Sequence, residues 1–378
     1  MSLYLIEVTV KSPIQIADLV IGNVFKQTKC LYIQSNTIKG SILSKFYIEY
    51  NINDVIKESN NPSINFHPLY PMLNGYASRS AHLLLHQCKL CSVKIGSDKD
   101  TNIFVNDVLS NKELLSKFRF EDFHIPYKCP NGHLFAITPV KGLVIFKDKI
   151  YKKIGIDFVQ LESIGITRGI GRVEVGMLYS YIGVKPGVKY LGLIYDHYDK
   201  IKDWFGGIPK SDIYRIGRGV SRGMGLIEIK FNMLDYKNYI DKRSKEIKDA
   251  ILKTNGIVIL RALSPILKMN GYEFSYKIDL DNIGLKPMNI YGDLNYLSAS
   301  SEILKGYSVY TNLPKLSIKG LGAGTLYFYK VMDGIDIELL SKNLAELEVK
   351  GFAEPYNVGL NIMEVYTDVK HLLWICNA

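Results

Sequence analysis

Two apolar runs, YLIEVTVKSPI at residues 4–14 and IVILRALSPI at residues 257–266, end in the same three residues, Ser12-Pro13-Ile14 and Ser264-Pro265-Ile266. Both runs are rich in β-branched residues, which suit a strand. Each is stopped by a proline, which fixes its own φ and holds the preceding residue in an extended conformation. A strand-and-turn unit written twice predicts a duplicated supersecondary unit and a fold with two comparable parts. Between them, KNYIDKRSKEIKDAILK (237–253) sets Ile240, Ile247 and Ile251 at helical spacing. This helix is expected to bridge the parts, with its many charges on a solvated face. The 378 residues thereby divide into 1–235 and 236–378, the bridge belonging to the second. Both lengths suit a domain.

Elsewhere, short β-branched or aromatic runs dominate. GLVIFK, VKYLGLIYD, GLIEIKF, GTLYFYKV and VGLNIMEVY are each bounded by Gly, Pro or Asn. Helical patterns are few. TIKGSILSKFYIEY (37–50) starts at a Thr37 cap and carries Ile42, Leu43, Phe46 and Tyr47 on one side, and DIELLSKNLAELEV (336–349) is amphipathic. An α+β fold with antiparallel sheets is the expectation. No apolar run approaches the roughly 20 residues that span a bilayer. The start, MSLYLIEVTVKSP, alternates like a strand and does not read as a secretory signal.

The five cysteines are too few for a disulfide scaffold and imply a reducing, intracellular setting. Four potential ligands stand in two knuckle-like pairs, Cys88 with Cys91 in HQCKLC and Cys129 with His133 in KCPNGH. Tetrahedral zinc takes four soft or borderline ligands, and a tight turn aims two of them at one ion. Pro130, Asn131 and Gly132 supply such a turn. Four protein ligands leave no position for a substrate, so the zinc would be structural. His86 and His124 are the substitutes for His133 as fourth ligand.

The 47 Lys and Arg against 37 Asp and Glu leave a net charge of +10, and a polyanion is the partner such a balance suits. Its placement says more than its total. RIGRGVSRGMGLIEI (215–229) sets Gly217, Gly219, Gly223 and Gly225 among Arg215, Arg218 and Arg222 just before a strand. Glycine lets backbone N–H groups approach a phosphate without a Cβ in the way, and arginine adds a bidentate, always-charged fork. GITRGIGRVEVGMLY (165–179), with Arg168 and Arg172, and LPKLSIKGLGAGTLYF (313–328), with Lys315 and Lys319, vary the theme. A dinucleotide fingerprint is excluded at the first loop, because Arg222 holds the third glycine's place and a strand follows. No Gly-Lys-Ser/Thr phosphate loop exists. Tight β-turns on a basic surface remain the plain alternative for any one of the three.

These residues resemble the CRISPR-associated RAMP superfamily. The likeness rests on YIQSNTIKGSILSKF, which follows the family's helix-opening segment at Ile33, Thr37, Ile38, Lys39 and Gly40, and on FHPLYP (66–71) before the cysteine knuckle. It continues in ITRGIGRVEVGMLYSY with its trailing PGVKYLG, in RGVSRGMG, in LSPIL and in NLPK, so that it covers most of the chain. Within the superfamily it is similar to the large, two-unit subunit of type III-D effector complexes. The resemblance implies two ferredoxin-like (RRM-like) units with glycine-rich loops, the first at 1–235 holding the zinc insertion at about 66–136, the second at 236–378. It departs from the pattern at Gln34-Ser35-Asn36, where the family has Pro-Gly-Ser, and at Gly351-Phe352-Ala353, where the family ends Gly-Phe-Gly.

By the resemblance the chain is a binding subunit. It would grip the 5′ repeat-derived tag of crRNA, hold a backbone RAMP subunit and dock the large polymerase-like subunit, in the cytoplasm. The catalytic aspartate of backbone subunits is missing from LVIGNVFKQTKCLY, where Asp18 lies just outside, and the paired aspartates of the large subunit are absent. No catalytic activity is expected. Arg215, Arg218 and Arg222 with the backbone of Gly217, Gly219, Gly223 and Gly225 would contact tag phosphates. Lys39, Arg168 and Arg172 would extend the track, and Lys315 and Lys319 would line the second unit's loop. The competing readings are a RAMP endoribonuclease that uses His67, His82 or His86 on precursor crRNA, a backbone-type subunit along the guide, and a scaffold that touches only protein.

Overall fold

A computed structural model describes residues 1–367 apart from 22–24, 29–30, 51, 74, 89, 91–104, 108–132, 134–136, 148–149, 167–172, 208, 271–272, 299, 305–306, 309–312, 315–316 and 355–358. Along the chain, β1 (Ser2–Val10) leads to α1 (Ser35–Tyr50), α2 (Asp54–Asn60), β2 (Ile64–Phe66), β3 (Tyr70–Leu73) and β4 (Tyr76–Ala77). The hairpin strands β5 (Phe158–Ile166) and β6 (Val173–Val184) precede β7 (Lys189–Asp196), α3 (Lys200–Phe205), β8 (Asp212–Arg215) and β9 (Leu226–Leu234). Then come α4 (Tyr236–Lys253), β10 (Ile257–Ala262), β11 (Leu285–Pro287), β12 (Tyr296–Leu297), β13 (Ser301–Leu304) and β14 (Ile318–Leu321). β15 (Leu326–Val331), α5 (Ile337–Lys350) and β16 (Met363–Val365) close the described chain.

The first sheet has the order β8-β9-β1-β7-β3-β4, with β2 also on β7. β1 lies between β7 and β9, antiparallel to both, so that Ile6 stands opposite Gly192 and Phe231. Its apolar run Leu3–Ile6 follows from burial on both faces there, and Glu7 and Thr9 alternate with buried residues farther along. Tyr4, Ile6, Val8 and Val10 point to one side and share a core with Ile38, Ile42 and Phe46 of α1. Leu3 and Leu5 point to the other and share a core with α4, α5 and the second sheet. A strand buried on one face only would have alternated apolar and polar. Gly192 makes room for the chain crossing above it, because a Cβ there would sit 3.1 Å from the Pro68 carbonyl oxygen.

The second sheet runs β11-β15-β10-β16, with β12 on β15. Its core strand β10 pairs antiparallel with β15 and β16. α4 and α5 pack together behind it, and a buried ion pair joins them. Arg243 Nε is 2.7 Å from Glu348 Oε2 and its Nη2 is 2.8 Å from Oε1. Nη2 also donates to the Val365 carbonyl at 2.8 Å, so that the pair fixes both helices to the sheet.

β5 and β6 join the strands Phe25–Thr28 and Ala17–Ile21 in a four-stranded sheet. A further, six-stranded sheet takes Ile137–Pro139, Leu85–Cys88, Val105–Asp107, Ile150–Ile154, Leu143–Lys147 and Arg79–Ser80, so that three of its strands fall within 66–136 and three beyond it. Antiparallel pairing dominates throughout, as expected of the α+β class; the contact of β6 with Phe25–Thr28 is parallel. The bridging helix and α5 fall where the apolar spacing puts them. α1 differs in two details: it begins at Ser35, before Thr37, and its last turn projects past the core. Ile38 is therefore buried in place of Tyr47, which is exposed.

Candidate nucleic-acid interface

The loop between β8 and β9 is shaped by its glycines. Gly217, Gly219, Gly223 and Gly225 all have φ between +76° and +79°, a region that costs a residue with a Cβ about 1–2 kcal/mol. At Gly217 a Cβ would also meet the Gln15 carbonyl oxygen at 2.4 Å, and at Gly225 that of Ile216 at 2.2 Å. These close approaches let the segment that follows β1 serve as the loop's anchor. Arg218 N–H donates to the Gln15 carbonyl at 2.9 Å, Gly225 N–H to that of Pro13 at 2.8 Å, and Leu226 N–H to the Ser12 hydroxyl at 2.8 Å.

On this rigid base Arg215, Arg218 and Arg222 are exposed. Among the described residues none of the three pairs with a carboxylate, whereas the neighbouring lysines do. Lys11 meets Glu228 at 2.7 Å, Lys45 meets Asp212 at 2.5 Å and Lys189 meets Glu7 at 2.8 Å. Among the described residues the positive charge of the loop thus has no carboxylate partner, which suits an anionic ligand. Among the described residues Arg222 alone of the three is held by a side chain: its guanidinium lies 5.1 Å from the centre of the Tyr181 ring and donates to the Tyr181 hydroxyl.

The second Ser-Pro-Ile is bonded as the first is. Ser264 Oγ accepts from Ile362 N–H at 2.9 Å as Ser12 Oγ does from Leu226. The Pro265 carbonyl accepts from Asn361 N–H at 3.1 Å as that of Pro13 does from Gly225, and Asn361 has φ +56°. Ile266 exchanges two backbone bonds with Leu321 as Ile14 does with Val184. The segment that matches the arginine loop is therefore 351–362, and Gly320-Leu321 matches Gly183-Val184. GFAEPYNVGLNI holds neither arginine nor lysine. Its end packs inward: Gly359 to Ile362 are buried, and a Cβ on Gly359 would meet the Ser35 Cβ of α1 at 2.4 Å.

A family model described as the RAMP superfamily matches residues 16–228, more than half of the chain, and includes the arginine loop. The chain belongs to the RAMP superfamily. No curated protein matches it. Among solved structures, a chain of the type III-B Cmr-beta complex bound to cognate target RNA is 14% identical, with 96% of this chain and 99% of that one covered and a TM-score of 0.48. A chain of the Csm3-Csm4 subcomplex of the type III-A CRISPR-Cas interference complex is also 14% identical, over 87% and 94%, with a TM-score of 0.37. Oligomeric Cmr4 from Pyrococcus furiosus is 12% identical, over 62% and 99%, with a TM-score of 0.26.

The other residues singled out in this RAMP chain fall into three groups. Arg168, Arg172, Lys315, Cys91 and Cys129 lie outside the described residues. Lys319, on β14, is exposed. Lys39 is turned inward from the basic surface: its ammonium is 3.5 Å from Glu58 and 5.8 Å from the centre of the Phe66 ring. Burial pushes the Glu58 carboxyl up, but hydrogen bonds from Lys200, Ser63 and Ile64 outweigh it and hold its pKa below the usual carboxylate value.

Cys88 and His133 do come together, with Sγ and Nδ1 3.6 Å apart. Zinc bonds of about 2.3 Å to sulfur and 2.0 Å to nitrogen, at the tetrahedral angle, put two ligand atoms at about this separation. Among the described residues no third ligand joins them. His67, His82 and His86 are all buried, and burial depresses the pKa of each, that of His67 to about 4. His67 Nε2 donates to the Val349 carbonyl at 2.9 Å. Among the described residues no helix is long and apolar enough to cross a membrane.

Proposed function

We propose that this RAMP chain is a non-catalytic RNA-binding subunit of a type III CRISPR effector, of the III-D kind, working in the cytoplasm. It grips the 5′ repeat-derived tag of crRNA and docks a backbone RAMP subunit and the large polymerase-like subunit. The observation that carries this reading is the exposed set of Arg215, Arg218 and Arg222, with no carboxylate partner among the described residues, on a loop locked by four left-handed glycines. A preformed loop pays little ordering entropy when it meets a phosphate backbone, and arginine forks suit phosphate geometry. Lys39 enters this reading as a buried counter-charge to Glu58, while Arg168, Arg172, Lys315 and Lys319 extend the basic track. The matching bonds around Ser12 and Ser264 support two related ferredoxin-like units, divided near residue 235.

A structural zinc held by Cys88, Cys91, Cys129 and His133 belongs to the same proposal, supported by the spacing of Cys88 and His133. The zinc would pin the insertion and take no part in chemistry. Burial of His67, His82 and His86 as neutral rings favours a binding role over RNA cleavage, because a general acid or base must reach a 2′-OH.

Binding of the purified chain to crRNA with and without its 5′ tag tests the reading. Tighter binding of the tagged RNA, which stays intact on incubation, is the expected result. Equal affinity for both, or specific metal-independent cleavage of repeat RNA, would contradict it.

A further inference from the structure

The arginines of the loop are not equivalent. Among the described residues Arg215 and Arg218 have no side-chain partner, whereas Arg222 is fixed at both ends. Its backbone N–H donates to the Gly219 carbonyl at 2.9 Å within the turn Val220–Arg222. Its guanidinium rests over the Tyr181 ring and donates to the hydroxyl.

Tyr181 is itself buried in a sheet. It is 4% exposed, and β6 holds it between Leu161 of β5 and Lys26 of the neighbouring parallel strand. Leu161, Tyr181 and the loop are far apart in sequence, so this contact exists only in the folded chain. The ring face attracts the cation and the hydroxyl fixes its direction. Of five guanidinium N–H groups, one is used on Tyr181, which leaves donors for a phosphate.

The second Ser-Pro-Ile supplies an internal comparison. Tyr181 lies three residues before Val184, and the matching place before Leu321 is Ile318. Arg222 lies just before Gly223, and the matching place before Gly359 is Val358. In the sequence the aromatic and the arginine occur together around the first Ser-Pro-Ile and are absent together around the second, as two halves of one device would be.

We infer that Tyr181 is a positioning residue, which holds the Arg222 fork ready for a backbone phosphate of bound RNA. This rests on the reading of the loop as an RNA contact. An arginine held in its binding rotamer forfeits less side-chain entropy when the phosphate arrives. Tyr181 acts through Arg222 and does not itself touch RNA.

A double-mutant cycle tests it. Labelled crRNA from the chain's own repeat is titrated against wild type, Tyr181→Phe, Tyr181→Leu, Arg222→Ala and the Tyr181→Leu, Arg222→Ala double variant over a range of salt. Arg222→Ala should weaken binding and lower the salt slope by about one. Tyr181→Phe keeps the ring and the packing but loses the hydroxyl, and should weaken binding about five-fold. Tyr181→Leu should weaken it more, and should add almost nothing once Arg222 is gone. If Arg222→Ala weakens binding while both Tyr181 variants bind as wild type, the positioning role is overturned and the RNA reading stands. An equal further loss from Tyr181→Leu in the Arg222→Ala background also overturns it, as a general structural effect. If Arg222→Ala binds as wild type, both fail.

Discussion

The hydroxyl of Ser12 accepts the backbone N–H of Leu226 at 2.8 Å, across more than two hundred residues of sequence. This bond ties the segment that follows β1 to the first residue of β9, where the arginine loop ends. Ser12→Ala leaves the Leu226 N–H without that acceptor, which should cost about 1 kcal/mol. The loop should also open more often, so that the Leu226 amide exchanges with solvent faster than in wild type. Ser264→Ala should do the same at Ile362.

The loop glycines should differ in their tolerance of a side chain. A Cβ at Gly223 meets nothing within 4 Å, so Gly223→Ala should cost only the left-handed backbone, about 1 kcal/mol. At Gly225 the same methyl would lie 2.2 Å from a backbone oxygen, and the loop would have to move. Thermal unfolding should rank Gly225→Ala well below Gly223→Ala, and RNA affinity should follow the same order.

Much of this fold is legible in the sequence, because β1, β10 and α4 announce themselves by local spacing. The repeated Ser-Pro-Ile is visible for the same reason, although its purpose is not: the partners, Leu226 and Ile362, lie far along the chain. The glycine and lysine pattern of 313–324 points to a second loop there. The structure puts the matching loop at 351–362, where Asn361 takes the left-handed position that glycine holds at Gly225. A pattern search for glycine passes over an asparagine, and the loss of every arginine removes the other signal. Lys39 reads as a surface cation until Glu58, on another helix, is seen to face it. Nothing local in the sequence links Tyr181 to Arg222, 41 residues away. A fuller signal was available in the register of Ser-Pro-Ile, whose bonding partners must be a left-handed residue and its successor in both places.

The buried histidines make stability depend on pH. Burial lowers the His67 pKa from 6.5 in the unfolded chain to about 4 in the folded one. Between these values the unfolded chain binds more protons, so stability rises with pH there and is lost as pH falls from about 6.5 towards 4, by on the order of 3 kcal/mol for this group. His82 and His86 are shifted in the same direction and add to the slope. Urea unfolding at neutral pH and at pH about 5 should show a clear loss of stability, smaller in His67→Gln.

The pair between α4 and α5 should respond asymmetrically. Arg243→Leu leaves Glu348 charged in a buried site and should cost roughly 3–5 kcal/mol. Replacing both, Arg243→Leu with Glu348→Leu, should recover much of that loss, because no unpaired charge remains. Equilibrium unfolding of the single and double variants checks it.

The central claim is that the arginine loop is where RNA is held. Arg218→Ala with Arg222→Ala should weaken crRNA binding and lower the slope of log affinity against log salt by about two, one for each lost phosphate contact. An unchanged affinity with an unchanged salt slope, in a variant that unfolds at the wild-type temperature, would contradict it.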